Sequence, residues 1–246
     1  FGLIFCDNDI DNLTDLNVTD VFYKGKRLNE DAPIRVRPCS HVLKHTVHLD
    51  KVKAERFLLP ISKKKTHVIE IHAGQITTTD LTISLPPTLN FEPFGGYSKI
   101  AAVERHHNTG KIGVAVAKGY GIRNGAVASS VSHDSHNIIV IGDNDADMAI
   151  AVNEIIRTQG GYTVVENGKV YETLALPIMG LMSDAGFENV NEALQRMIQK
   201  AHQMGVASQI DPFVTLSFLA LPVIPELRIT PRGICKMTAK GPAILS

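Results

Sequence analysis

Cysteine is scarce in this sequence: its three copies, Cys6, Cys39 and Cys235, lie far apart and in no metal-like spacing. That argues against a disulfide framework and fits a reducing, cytoplasmic setting. Charge of one sign is lacking too, because Lys and Arg total 25 and Asp and Glu total 25. Without a basic surplus there is no electrostatic case for nucleic acid or an anionic membrane as a partner. Long hydrophobic runs are also missing. The longest, Phe213 to Ile224, is broken by Thr215, Ser217 and Pro222 and is too short to span a bilayer. The opening "FGLIFCDNDIDN" has no basic n-region, no small-residue cleavage site and no initiator methionine, and reads as a strand cut from something longer.

Three motifs are absent as well. The glycines of "GYGIRNG" fall at 119, 121 and 125, a spacing that misses the dinucleotide fingerprint, so tight turns between strands explain them better. Pro38-Cys39 lacks the second cysteine of the zinc-dependent nucleobase deaminases. No His-x-His pair occurs anywhere.

What remains is ordinary globular material, with 246 residues of which 44% are hydrophobic, enough for one large domain or two modest ones. "DVFYKGKRL" predicts a strand, a turn at Lys24-Gly25 and a second strand. "THVIEIHAGQITTT" has β-branched residues alternating around Ile69 and Ile71. "SLPPTLNFEPFGG" interrupts any pattern, which places a boundary near residue 90. Beyond it, "IAAVERH", "IGVAVAKG", "AVASSV" and "NIIVIG" predict strands. A helix follows, N-capped by Asn144, with Met148, Ala151, Val152, Ile155 and Ile156 on one stripe and Gly160-Gly161 stopping it. "YTVVENGKVYETLAL" predicts a hairpin turning at Asn167-Gly168. A second helix is expected from about Val190 to Gly205, with Leu194, Met197, Ile198 and Ala201 inward. The fold class is therefore α+β, with a β-rich segment over residues 1–90 and an α+β domain with a mixed sheet over 91–246.

The candidate chemistry gathers at strand ends. "ERHH" supplies Glu104, His106 and His107; "SSVSHDSHN" supplies His133, Asp134, His136 and Asn137; "GLMSDAG" supplies Asp184. His133, Asp134 and His136 are also candidate metal ligands, and they converge only if their segment is a tight turn. Against these stands a plain structural role, in which Asp134, Asp184 and the serines cap turns. "HVLKHTVH" places His41 and His45 four apart, a metal pair if helical and otherwise a polar surface segment.

Taken in order, the blocks "ERHHNTGKIGVAVAKGYGIRNGAVASSVSHDSHNIIVIGDNDADMAIAVN", "GGYTVVENGKVYETLALPIMGLMSD" and "DPFVTLSFLALPVIPELRIT" resemble the C-terminal domain of the bacterial adenine deaminase family, over about residues 57–237. "NLTDLNVTDVFYKGKRL" resembles the closing strands of the small β-sandwich of the amidohydrolase superfamily. The resemblance implies a hydrolase that converts adenine and water to hypoxanthine and ammonia in purine metabolism, using manganese or iron held in a barrel. That barrel lies N-terminal to the region matched and is not in this chain. The resemblance thus implies adenine and the missing barrel as partners and leaves homo-oligomerisation open. The hydrogen-bonding groups of "ERHH" and "SHDSH" give this part, on physical grounds, a role in closing the active site, with the chain alone expected to be inactive. Two other readings stay open: a non-catalytic binding or assembly module that keeps the fold, and an independent metal hydrolase using the histidines here.

Overall fold

A computed structural model describes residues 2–6, 18–28, 39–63 and 65–245. The chain divides into two compact units, Phe1–Pro38 and Cys39–Ser246. In the first, β1 (Gly2–Cys6), β2 (Val18–Tyr23) and β3 (Lys26–Arg27) form a small antiparallel sheet in the order β1-β2-β3. The expected turn is present, with Lys24 and Gly25 both at positive φ (50° and 74°). Part of "NLTDLNVTDVFYKGKRL", residues 12–17, lies outside the described residues.

The second unit is built on an eight-stranded sheet. Its strands are β4 (Lys65–Ile71), β5 (Thr78–Ser84), β6 (Tyr97–Val103), β7 (Ile112–Lys118), β8 (Gly125–Ser129), β9 (Ile138–Gly142), β10 (Gly161–Glu166) and β11 (Lys169–Ala175). They lie in the order β11-β10-β8-β9-β6-β7-β4-β5. Neighbours are antiparallel except β4 and β7, which run parallel, so the sheet is mixed as expected. The sequence reading drew a boundary near residue 90. The units instead meet at residue 38, because β4 and β5 are strands of this same sheet. The irregular residues 85–96 connect β5 to β6 within it.

Both faces of the sheet are covered, and the strand period of two decides which side chain goes where. In β9, Ile139 and Ile141 join a core with α2 (Phe187–Gln203) and α3 (Pro212–Leu219). Ile138 and Val140 point the other way, to α1 (Asp145–Thr158) and Val47, Val52 and Phe57. All four are fully buried, each worth roughly 1.5–3 kcal/mol of transfer free energy. Three short strands, β12 (Leu227–Thr230), β13 (Gly233–Thr238) and β14 (Gly241–Ile244), form a further antiparallel sheet whose Leu227 and Ile229 join the α2–α3 side.

The local signals were largely right. Asn144 caps α1, its side chain accepting from Asp147 N–H at 2.8 Å. The stop differs: Gln159, at φ 60°, takes the left-handed cap, and Gly160 follows it. The hairpin turns at Asn167 (φ 49°) and Gly168 (φ 77°), both left-handed, as a two-residue turn of its type requires. Of the loop glycines, Gly119 and Gly121 are demanded alike: at φ +96° and +93° a Cβ would stand 2.4 Å from the Ile71 and Gly205 carbonyl oxygens. Helix α2 starts at Phe187, three residues before the expected Val190.

Asn144 also donates to Asp143 and Asp147, at 3.0 and 2.9 Å, so it organises the whole helix start. Replacing Asn144 by Ala is expected to cost about 1–2 kcal/mol, and Asn144→Ser to restore most of it. Urea midpoints of the three proteins check this; equal midpoints for Ala and wild type would show the cap to be dispensable.

Candidate functional site

The sheet register brings the candidate residues to one place. Val103 pairs with both Ile112 and Ile138, Ser129 with Ile139 and Tyr162, and Gly161 with Ala175. Residues 104–111, 130–137 and 176–186 therefore leave the same end of the sheet. All eight candidates, Glu104, His106, His107, His133, Asp134, His136, Asn137 and Asp184, sit on these three segments. The first two connect adjacent antiparallel strands, and the third follows edge strand β11.

An arginine that the sequence reading passed over ties the segments together. Arg105 is 1% exposed. Its Nη1 donates to the Thr46 carbonyl (2.9 Å) and hydroxyl (3.3 Å), its Nη2 to the Met179 carbonyl (3.0 Å), and its Nε to the His136 carbonyl. Burial pushes its pKa down to about 10, which still leaves it charged at neutral pH. Gly180, at φ +72°, lets the 176–186 segment approach: a Cβ there would lie 2.9 Å from the guanidinium. Ser130 completes the tie, its hydroxyl donating to the Gly180 carbonyl (2.6 Å) and accepting from Gly161 N–H (2.8 Å).

Glu104 organises its own turn. One carboxylate oxygen accepts from the N–H groups of His106 (2.6 Å) and His107 (2.9 Å), the other from Thr109 N–H (3.1 Å) and hydroxyl (2.9 Å). Burial alone would raise its pKa, but the donors from Thr109, His106 and His107 outweigh it and hold the carboxyl at about 2. His106 Nε2 meets the Ser135 carbonyl at 2.7 Å, so that nitrogen carries the proton. Asn137 is buried and accepts from Arg105 N–H at 3.3 Å. These three are held by the protein itself.

His107, His133 and Asp134 are presented outward. Residues 133–135 form the tight turn on which convergence depended, closed by His136 N–H donating to the Ser132 carbonyl at 2.6 Å. The His133 side chain is 40% exposed and stacks on Phe218 with centroids 5.1 Å apart; the Asp134 side chain is 86% exposed. His136 holds a left-handed φ of 48°. Burial first, then the neighbouring His133 and Arg105, push its pKa below the ordinary imidazole range, so it is neutral at pH 7. Its Nδ1 and the Ser132 hydroxyl are buried without a hydrogen-bond partner. The serines do cap backbone, as a structural role would have it: Ser129 Oγ takes Val131 N–H at 2.9 Å. Asp184 stands apart, in an exposed ion pair with Lys44.

Asp134, Ser135 and Asn137 form one wall of a cavity of about 320 Å³, whose other wall is apolar and includes Leu221, Pro222 and Pro231. That size falls in the range of small-molecule sites, roughly 300–1,000 Å³. A groove of about 450 Å³ borders the 104–111 segment on the α1 face, beside Asp50, Lys53 and Arg56. Among the described residues, no group of three or more His, Cys, Asp or Glu side chains is arranged to hold a metal ion. His133, Asp134 and His136 are neighbours in one turn without being a coordination set; His133 Nδ1 and Asp134 Oδ1 are 3.9 Å apart.

A family model described as the adenine deaminase C-terminal domain matches residues 75–240. The chain is 46% identical over 226 residues to an adenine deaminase of Desulfitobacterium hafniense (strain Y51), the match covering 92% of this chain and 40% of the relative. It is 41% identical over 231 residues to an adenine deaminase of Nitratidesulfovibrio vulgaris (strain DP4), with the same coverage of 92% and 40%. To that of Bacillus subtilis (strain 168) it is 38% identical over 237 residues, covering 92% and 41%. The chain thus spans about 40% of the length of the curated relatives it matches.

Two outcomes follow from the buried pair at the start of this loop. Because the Glu104 carboxyl is held below its ordinary 4.5, its stabilisation is present above that value and is lost as pH falls toward 2. The stability gap between wild type and Glu104→Gln, about 1–2 kcal/mol at pH 7, should shrink steadily between pH 5 and 2 in urea titrations. A gap that does not change with pH overturns the assignment. Arg105→Met leaves the carbonyls of Thr46, His136 and Met179 without donors and should cost more than about 3 kcal/mol. Arg105→Lys should recover little of this, since one ammonium cannot span three segments; full recovery in the same denaturation assay would show that charge alone suffices.

Proposed function

The chain belongs to the adenine deaminase C-terminal domain family, and from that premise we propose that it is the C-terminal portion of a cytoplasmic hydrolase that converts adenine and water to hypoxanthine and ammonia. In this reaction the oxygen of water adds at C6 of the purine and the exocyclic amine leaves as ammonia. The division of labour follows from what the residues offer. The manganese or iron implied by the resemblance finds no ligand set among the described residues, so no chemical step is assigned to these side chains. Their role is to close the site held by the rest of the polypeptide. The β1–β3 segment fits the small β-sandwich that the resemblance implies beside that site.

The observation that carries this reading is the locked polar end of the sheet. Arg105 fixes three segments together, and the surface they make presents His107, His133 and Asp134, with neutral His136 behind them. Adenine has ring nitrogens that accept and an amine that donates, and neutral imidazole and carboxylate meet both needs. Closure over the purine would also exclude water and strengthen every electrostatic contact inside. Val42, Leu43, Met179 and Met182 are exposed and lie on segments joined by the Met179 N–H to Leu43 carbonyl bond. Such apolar side chains support cover by another part of the protein, and they fit equally a module that serves assembly alone.

Activity separates the two. In the full-length protein, His133→Ala should lower kcat/KM for adenine roughly a hundredfold with the fold intact by circular dichroism. The 246-residue chain alone, given adenine and manganese, should release no ammonia. Unchanged kcat/KM in the His133 variant would favour the assembly role. Ammonia from the isolated chain at enzyme-like rates would place the catalytic groups here.

A further inference from the structure

The structure places two imidazoles together on a turn that lies against the 176–186 loop but belongs to none of the three sheet-end loops. His41 and His45 bracket the 3₁₀ turn His41–Lys44, both exposed, with ring centroids 4.2 Å apart. Their Nε2 atoms are 2.9 Å from each other. Two bare nitrogens at that distance repel, so the arrangement needs a hydrogen between them or a cation bound to both. The spacing favours a particular kind of cation. With metal–nitrogen bonds of about 2.0–2.1 Å, nitrogens 2.9 Å apart subtend roughly 90° at the ion, whereas a tetrahedral angle needs about 3.3 Å. Right angles belong to tetragonal copper(II) and nickel(II) rather than to structural zinc.

We propose that His41 and His45 form a two-imidazole site for a divalent transition ion of tetragonal preference, with water filling the remaining positions. The turn that carries them is already fixed. Leu43 N–H donates to the Ser40 carbonyl at 3.0 Å, and the Leu43 carbonyl accepts from Met179 N–H at 2.6 Å. Just beyond, Val47 N–H donates to Gln159 Oε1 at 3.2 Å. Lys44, the cation nearest in sequence, is paired with Asp184, so its charge is answered. Ligands held by a fixed backbone lose little freedom on binding. Two other histidine pairs, His106–His107 and His133–His136, are more open, with centroids 6.3 and 6.0 Å apart. This site does not rest on the deaminase reading.

The test is a calorimetric titration of the untagged 246-residue chain with Ni²⁺, which does not oxidise thiols such as that of nearby Cys39. One equivalent should bind. Loss of a hydrogen-bonding partner behind a metal ligand already weakens binding 10–100-fold, so loss of a ligand itself should exceed about tenfold. His41→Ala and His45→Ala are each expected to do this while melting like wild type, since both side chains are exposed. His48→Ala and His133→Ala should bind as wild type does. Wild-type affinity in the His41 and His45 variants overturns the site, leaving the pair joined by a shared hydrogen; so does loss confined to the His133 variant.

Discussion

A buried guanidinium, with no carboxylate among the described residues to answer it, holds the candidate end of the large sheet together. Arg105 meets carbonyls of Thr46, His136 and Met179, three segments with no strand pairing to one another. Burying a charge without a counter-ion costs several kcal/mol, and the chain recovers it only because the donors meet carbonyl dipoles in fixed directions. Lysine would not serve, since its ammonium is compact and more strongly hydrated. The same solution recurs at the far side of the unit. Arg228, fully buried, donates to the Ile76, Pro225 and Leu227 carbonyls and the Thr78 hydroxyl, and burial again pushes its pKa down to about 10. In both places a buried guanidinium pins irregular backbone; at the second, Thr78 of edge strand β5 adds backbone bonds, its N–H donating to the Pro225 carbonyl and its carbonyl accepting from Glu226 N–H, both at 3.2 Å.

Burial then sorts the candidate residues. Glu104 and Asn137 are buried, and their hydrogen bonds are consumed in shaping the loops; His106 is half-buried and bound to Ser135. A carboxylate held at about 2 by four donors is a poor general base, because it gives up those bonds when it takes a proton. The candidates that face solvent are His107 and Asp134, with His133 partly exposed, and buried groups hold the loops behind them. Chemistry-bearing residue types thus divide into those that build the surface and those that stand on it.

Much of this was legible in the sequence. The strands, the hairpin at Asn167-Gly168 and the Asn144 cap rest on local rules that operate within a few residues, and they hold. The loops "ERHH" and "SHDSHN" were picked out because polar groups crowd the ends of apolar strands, and the register does bring them together. What failed to show depends on contacts distant in sequence. Arg105 stands inside "ERHH", yet arginine is so rarely buried that its type argued for the surface. Helix α3 carried a readable start, Asp211 as N-cap and Pro212 in the first turn, but the run that follows is apolar apart from Thr215 and Ser217 and gave no helical stripe. Strands β12 and β14 have four residues each, too few for a period to register. The boundary near residue 90 followed a proline-rich break, which marks a loop as readily as a domain edge.

The two ends of the large sheet differ in a way that bears on which one works. At the end where α1 begins, charges close on one another. Buried Lys99 meets Asp145 and Asn90, each at 2.6 Å, while Asp143 takes Gly125 N–H at 2.9 Å and Asp147 takes Gly168 N–H at 2.8 Å. Ser98 Oγ and, beside Thr78, Arg228 Nε are the exceptions there, each buried without a partner. At the opposite end the loops are as firmly built, but the product is open: imidazole and carboxylate groups face outward, and His136 Nδ1 and Ser132 Oγ lack partners behind them. Among the described residues each end thus keeps two buried atoms without partners, and the difference between them lies in the polar groups that face outward. Groups that water already satisfies cost the fold little where they stand, and the rigid backbone behind them makes them the polar side chains at either end best placed to meet a ligand.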